Sequence, residues 1–203
     1  MSVALAILTA RAAVVATDGG RTEDGGIQRS GCDKTLAIGD WLIGCQVGVV
    51  EFCGASIAEH VRSALGEEPL PASTVLERLV DYFSKGLVQI PESEIAERYR
   101  GLELLVAVRG HGELAYVEFR AGKLVSARPM PLFAVTGDDK AAAVAASELR
   151  ALEKTLNDAS IIQLKSIARS LIPKAVAACG PYPTNPGLPS CIGGPYLRAL
   201  KLQ

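Results

Sequence analysis

Three residues near the start of the chain have the types and the spacing for acyl-transfer chemistry: Ser2, Asp18 and Lys34. Ser2 follows an initiator methionine and has a small side chain, so removal of Met1 leaves a hydroxyl beside a free α-amine. One residue then carries both a nucleophile and its base. An unperturbed α-amine titrates near ~8, so a large fraction of it is neutral and able to accept the hydroxyl proton. A lysine held nearby pushes that amine further toward its neutral form by like-charge repulsion, and an acid beside the lysine fixes its position. Taken singly, each residue has a plainer reading: Ser2 as an ordinary second residue, Asp18 as a turn residue before Gly19-Gly20, and Lys34 as a solvated strand end.

The elements that must position these groups are legible as apolar runs. Val3 to Leu8 and Ala12 to Ala16 read as two short buried strands joined tightly through Thr9-Ala10-Arg11, which returns Asp18 to the neighbourhood of Ser2. Lys34 opens a third run, Thr35 to Ile38. Gly39-Asp40 then turns the chain into a fourth, Trp41 to Val47. On this reading strands 1 and 3 present Ser2 and Lys34 at corresponding ends of one sheet.

These residues resemble the proteasome β-subunit family of N-terminal-nucleophile (Ntn) hydrolases, bacterial homologues included. The matching positions are Ser2 for the nucleophile, Asp18 at the end of the second strand, Lys34 at the start of the third and Gly48 after the fourth. Leu102 to Val108, Glu113 to Phe119 and Phe133-Ala134-Val135-Thr136-Gly137 look like the family's later strands, with two helices behind them. The resemblance implies an α+β fold, a four-layer αββα sandwich of two antiparallel sheets between helical layers, formed by residues 1–203 as one domain. It implies a threonine-peptidase-type endopeptidase with serine as nucleophile, acting on peptide or unfolded protein inside a homo-oligomeric ring. It implies no cofactor, and leaves an ATPase or other regulatory partner open. It places Thr22 where the family pairs its backbone with an extended peptide, and Arg21, Gln46 and Val50 around the first specificity pocket. A pocket with Arg and Gln suits an acidic or polar side chain. Gly48 has two readings, the N-terminal turn of a helix or an oxyanion donor at that helix start.

The chain departs from the family's pattern in three ways. Serine lacks the methyl group that fixes a threonine rotamer. Gly137-Asp138-Asp139 stands where the family often has Gly-Ser-Gly, and a carboxylate there favours the protonated amine. The family's late Asp and Ser have no clear match; Ser190 is the nearest candidate and no acid follows Asp158. These departures support a second reading, a catalytically inactive, proteasome-like structural or assembly protein.

Composition narrows the rest. The chain has 203 residues, 49% apolar and only 5% aromatic, so its core must be built from Ala, Val, Leu and Ile. With 21 basic and 22 acidic residues, its near-zero net charge points to neither nucleic acid nor an anionic membrane as partner. The longest apolar runs fall short of the ~20 residues of a spanning helix. No basic region precedes Val3, and Arg11 interrupts the apolar start, so no secretory signal is expected and the cytoplasm is the default. Cys32, Cys45, Cys53, Cys179 and Cys191 have no metal spacing, and the two histidines, His60 and His111, have nothing clustered around them. No metal site is expected, and Cys45 and Cys53 read as core residues.

Val49 to Leu65 reads as a helix stopped by Gly66, and a second helix is capped by Ser73 or Thr74 and runs through Val88. Pro91 to Tyr99 reads as a short exposed helix, and Leu124 to Ala127 as a strand after Leu114–Phe119. Lys140 to Lys154 is an alanine-rich helix. A last helix starts near Ile161 and is kinked or restarted at Pro173, and Cys191 to Leu202 is a final strand. The first two helices carry more apolar positions than one face needs, which marks them as assembly surfaces unless the second simply covers the first.

Overall fold

A computed structural model describes residues 2–22, 28–89, 101–110, 114–120, 122–130, 132–182, 185–189 and 191–202. In chain order the strands are β1 (Val3–Leu8), β2 (Ala12–Thr17), β3 (Arg21–Thr22), β4 (Gln28–Arg29), β5 (Thr35–Ile38), β6 (Leu42–Gly48), β7 (Glu51–Phe52) and β8 (Ala55–Ser56). Helices α1 (Ile57–Leu65) and α2 (Ala72–Val88) follow. Then come β9 (Leu102–Val108), β10 (Leu114–Arg120), β11 (Lys123–Met130) and β12 (Phe133–Gly137), and helices α3 (Asp139–Leu156) and α4 (Ile161–Ala178). The chain closes with β13 (Pro181–Tyr182), β14 (Asn185–Pro189) and β15 (Tyr196–Lys201).

Two antiparallel sheets carry the architecture: a four-stranded sheet ordered β12-β1-β2-β15 and a five-stranded sheet ordered β11-β10-β9-β6-β5. The continuous apolar runs of β1 and β2 have a direct cause, since both strands are buried on both faces. Val3, Leu5 and Ile7 pack with Val14, Ala16 and residues of α3 and α4, such as Leu149 and Leu171. Ala4, Ala6, Ala13 and Val15 point the other way, onto Ile43, Cys45 and Leu105 of the five-stranded sheet. A third cluster joins the outer face of that sheet to α1 and α2 through Leu104, Val106, Val61, Leu79 and Phe83. The class is α+β, consistent with an Ntn-type sandwich.

Several expectations are corrected here. Ser2 and Lys34 do not sit at the ends of one sheet: β1 belongs to the four-stranded sheet and β5, through β6, to the five-stranded one. The helix expected from Val49 starts only at Ile57, because Ser56 and Glu59 form a capping box. Ser56 Oγ accepts the Glu59 N–H at 3.2 Å, and the Glu59 carboxylate accepts the Ser56 N–H at 2.7 Å. The preceding residues make the tight β7–β8 hairpin, whose turn holds Cys53 and Gly54 at positive φ. His60 clamps that hairpin to α1. Its Nε2 lies 2.6 Å from the Phe52 carbonyl, which can only accept, so Nε2 carries the proton and Nδ1 faces the Tyr82 hydroxyl at 3.0 Å. Cys53 is exposed rather than a core residue.

Helix α2 begins at Ala72 behind Pro71 with no side-chain cap, so Ser73 and Thr74 lie inside its first turn. Helix α4 runs through Pro173 without restarting. The last strand is shorter than expected, because Cys191–Pro195 form a loop with Gly193 and Gly194 at positive φ. The apolar surplus of α1 and α2 is taken up internally: among the described residues the exposed large hydrophobics are Leu124, Val125 and Ile162, on neither helix. The helix expected over Pro91–Tyr99 lies outside the described residues, as do His111, Glu113 and Ser190. No described helix is long and apolar enough to cross a membrane.

One polar chain on the five-stranded sheet carries a pH signature. Glu103 and Glu118 are direct cross-strand neighbours, and the Tyr116 hydroxyl lies 3.0 Å from one carboxylate and 2.9 Å from the other. A phenol has one proton, so both contacts are hydrogen bonds only if one carboxyl is protonated. Burial pushes Glu103 upward, while Glu118 pairs with Arg120 at 2.6 Å. A carboxyl whose folded value exceeds its unfolded one contributes stability at low pH that is lost as pH rises through the folded value. Glu103→Gln is therefore expected to flatten the fall in thermal midpoint as pH rises above about 4. A pH–stability profile identical to that of the parent chain contradicts this assignment.

Candidate active site

The β1–β2 hairpin is short because Thr9 organises its turn: Thr9 Oγ1 accepts the Arg11 and Ala12 N–H groups and donates to the Ala12 carbonyl. Pairing Leu8 with Ala13 and Ala4 with Thr17 then returns the chain so that the Asp18 N–H reaches the Val3 carbonyl at 3.1 Å. On the other sheet, Asp33 accepts the Thr35 N–H at 2.9 Å and starts β5, with Lys34 between them. The Lys34 carbonyl accepts the Gln46 N–H of β6 at 3.1 Å. Each partner is thus fixed by its own sheet, and the side chains meet between the two.

Lys34 Nζ lies 2.5 Å from Ser2 Oγ and 2.9 Å from Asp18 Oδ1. The site is dry: Ser2, Lys34 and Asp18 are 5%, 3% and 0% exposed. Asp18 is hydrogen-bonded on both oxygens. Oδ1 also accepts the Val3 N–H at 3.1 Å, and Oδ2 accepts those of Gly20 at 3.0 Å and Ile192 at 3.4 Å. A buried carboxylate with a cation and three amide donors is a fixed charge, and it fixes the ammonium in turn. An ammonium only donates, so Ser2 Oγ is the acceptor in its contact with Lys34. The serine's own proton is left to go elsewhere, which is the polarity a nucleophile requires.

The backbone around Ser2 is held as tightly. Its carbonyl accepts the Asp138 N–H at 2.7 Å, and Gly137, at φ 115, lies so close that a Cβ there would land on that oxygen. Asp138 is buried and is the N-cap of α3: its Oδ1 accepts the Lys140 and Ala141 N–H groups, each at 3.1 Å. The acid that replaces the resembled family's serine thus has a structural task.

The remaining expected site residues are placed unevenly. Gly48 ends β6 at φ 84, where a Cβ would land on the Gly101 carbonyl oxygen, so close strand approach explains this glycine. It stands at no helix start, because the β7–β8 hairpin lies between it and α1. Gln46 is buried with Nε2 3.4 Å from the Val49 carbonyl, and Val50 is half-buried. Arg21 and Thr22 form β3 against β4, with Thr22 opposite Gln28 and Arg21 opposite Arg29; their side chains lie outside what is described. A groove of 570 Å³ runs along Gly39, Arg109 and Leu200 and contains none of Ser2, Asp18 or Lys34. No group of three or more metal-binding side chains occurs among the described residues.

Sequence reasoning missed several contributors. The Ile192 amide and the close approach of Gly194 to Asp18 come from the far end of the chain, with only Gly193-Gly194 as a signal. Thr17, next to Asp18, was unremarkable in sequence, yet its Oγ1 is fully buried with no hydrogen-bond partner among the described residues. Replacing an orphaned buried hydroxyl by a methyl of the same shape removes a desolvation penalty of about 1 kcal/mol. Thr17→Val is accordingly expected to raise stability, and a lower denaturation midpoint shows that the hydroxyl is satisfied.

No family model and no curated protein matches the chain by sequence. By structure it is similar to Thiobacillus denitrificans BPH, with a TM-score of 0.63 and 15% identity over 99% of this chain and 98% of that one. It is also similar to the eukaryotic HslV of Trypanosoma brucei, with a TM-score of 0.53 and 15% identity over 98% of this chain and 99% of that one. At this identity the likeness is one of fold, and the fold of the chain is proteasome-like.

Proposed function

We propose that the chain is a proteasome-like peptidase whose nucleophile is Ser2 after removal of Met1. The observation that carries this reading is the buried contact of Lys34 with Ser2 Oγ and Asp18. Ser2 Oγ attacks the carbonyl carbon of a peptide bond, and the freed α-amine takes its proton directly or through a water. Lys34 keeps that amine neutral by like-charge repulsion, and Asp18 holds Lys34. The Gly48 N–H stabilises the oxyanion, while the Thr22 backbone and Arg21, Gln46 and Val50 bind the peptide. Proton return to the leaving amine gives an acyl-serine ester, and water hydrolyses it. The mechanism uses no metal and no cofactor.

The three core clusters support reading residues 1–203 as one domain with helix, sheet, sheet and helix layers in that order. We read the protein as a cytoplasmic homo-oligomer, a ring that hides its nucleophile from folded proteins. A regulatory partner such as an ATPase is left open.

One observation favours the second reading, an inactive assembly protein: buried Asp138, whose N–H donates to the Ser2 carbonyl, brings a carboxylate close to the amine that would act as base, and a carboxylate there favours the protonated amine. Intact mass separates the two. Protein made in the cytoplasm is expected to lack one methionine, and full retention of Met1 excludes the hydrolase in that preparation.

A further inference from the structure

The two sheets present edge strands side by side, β5 from the five-stranded sheet and β15 from the four-stranded one. Strand β15 is hydrogen-bonded to β2, which leads into Asp18, with Arg198 opposite Val15 and Tyr196 opposite Thr17. Strand β5 begins immediately after Lys34. Across the seam reaches Arg198, whose Nε donates to Thr35 Oγ1 at 2.8 Å and whose Nη2 lies 3.3 Å from Asp33 Oδ2. These two partners are the residues on either side of Lys34.

Proton counting makes the arrangement directional. Arg198 has only donors, so Thr35 Oγ1 accepts from it. The single Thr35 hydroxyl proton must then go to Asp33 Oδ1, 2.6 Å away, which also accepts the Thr35 N–H. Thr35 is buried, while Arg198 and Asp33 are half-exposed, so the Nε contact with the Thr35 hydroxyl inside the seam matters more than the outer ion pair. The guanidinium thereby closes a polar turn around Lys34 and ties it to the strand that flanks β2. The Ile192 amide makes the second tie from the same segment, onto Asp18 Oδ2.

We propose that Arg198 is a positioning residue for the reaction: by clasping Asp33 and Thr35 it sets the height of Lys34 against Ser2 and Asp18. The inference rests on the hydrolase reading above and adds to it a group that touches no substrate. A shift of about 1 Å in a positioned group costs on the order of tenfold or more in rate. A Lys34 that recedes also repels the α-amine less, so the amine is protonated up to a higher pH.

The test uses the full chain after loss of Met1, with a fluorogenic peptide and an activated ester as substrates. Arg198→Met keeps the aliphatic stem and removes every donor. Its kcat is expected to fall about tenfold with KM within about twofold, and the acidic limb of its pH–rate profile to move up by about half a pH unit. Arg198→Lys keeps a charge but not the fork, and is expected to recover only part of the rate. Asp33→Asn serves if Arg198→Met fails to fold: it keeps an acceptor for the Thr35 N–H, removes the charge facing Arg198, and is expected to move the limb the same way. A folded variant with the parent kcat and the parent acidic limb overturns the inference while leaving the hydrolase reading intact. A general structural loss, with kcat and active fraction falling together and the limb unmoved, overturns it as well. A parent chain that cleaves neither substrate overturns the hydrolase reading, and this inference with it.

Discussion

Lys34→Ala is expected to reduce hydrolysis by roughly 10²–10⁴-fold, the range set by loss of a tuned base. The substitution removes the ammonium 2.5 Å from Ser2 Oγ, so that oxygen loses its donor and the α-amine loses the repulsion that favours its neutral, proton-accepting form. It also leaves Asp18 charged, fully buried and without its cation, at a cost of about 3 kcal/mol. The three amide donors on Asp18 soften that loss, and the fold is expected to survive. Replacing both partners separates the two effects. In Asp18→Asn with Lys34→Met no charge is buried, so stability should return while activity does not. Steady-state kinetics and a denaturation curve on the single and double variants decide the matter. Normal turnover by folded Lys34→Ala ends the proposed mechanism.

Gly137→Ala is the second large effect. At φ 115 a Cβ is strained wherever it points, and here it points onto the Ser2 carbonyl oxygen. Left-handed strain and a backbone collision together are worth roughly 3 kcal/mol or more. For a chain of this size the thermal midpoint should drop by about 10 °C. Because the displaced oxygen belongs to Ser2, the proposed nucleophile, activity should fall further than stability does. Gly54→Ala is the control: it has φ 77 but open space around it, so only the conformational cost of about 1 kcal/mol remains. Equal losses in the two variants show that crowding against Ser2 plays no part.

Much of this arrangement was legible in the chain. The runs Val3–Leu8 and Thr35–Ile38 coincide with β1 and β5; β1, buried on both faces, leaves an unbroken apolar signature, and β5 is a mostly buried run bounded by Lys34 and the Gly39-Asp40 turn. Ser2, Asp18 and Lys34 were readable for the same reason, since each stands at the end of such a run. Sheet membership was not readable. Periodicity says that a residue faces inward but not which sheet its strand joins, so the contact between Ser2 and Lys34 across the two sheets appeared only in three dimensions. The start of α1 was missed for a different reason: apolar Val49 and Phe52 fit a helical face, while the decisive Ser56 and Glu59 pair lay in plain view. Arg198 had no sequence signal, because its partners Asp33 and Thr35 are far away along the chain.

The Ile192 amide reaches Asp18 from 174 residues away. Contacts of such separation are among the last to be made as a chain folds, because the closure entropy of the intervening loop must be overcome first. During synthesis, Ser2, Asp18 and Lys34 emerge well before the loop that holds Asp18 and the strand that carries Arg198. A nascent chain therefore holds the proposed nucleophile without the contacts that would position Lys34 and Asp18 around it. On the hydrolase reading, competence is deferred until β15 docks.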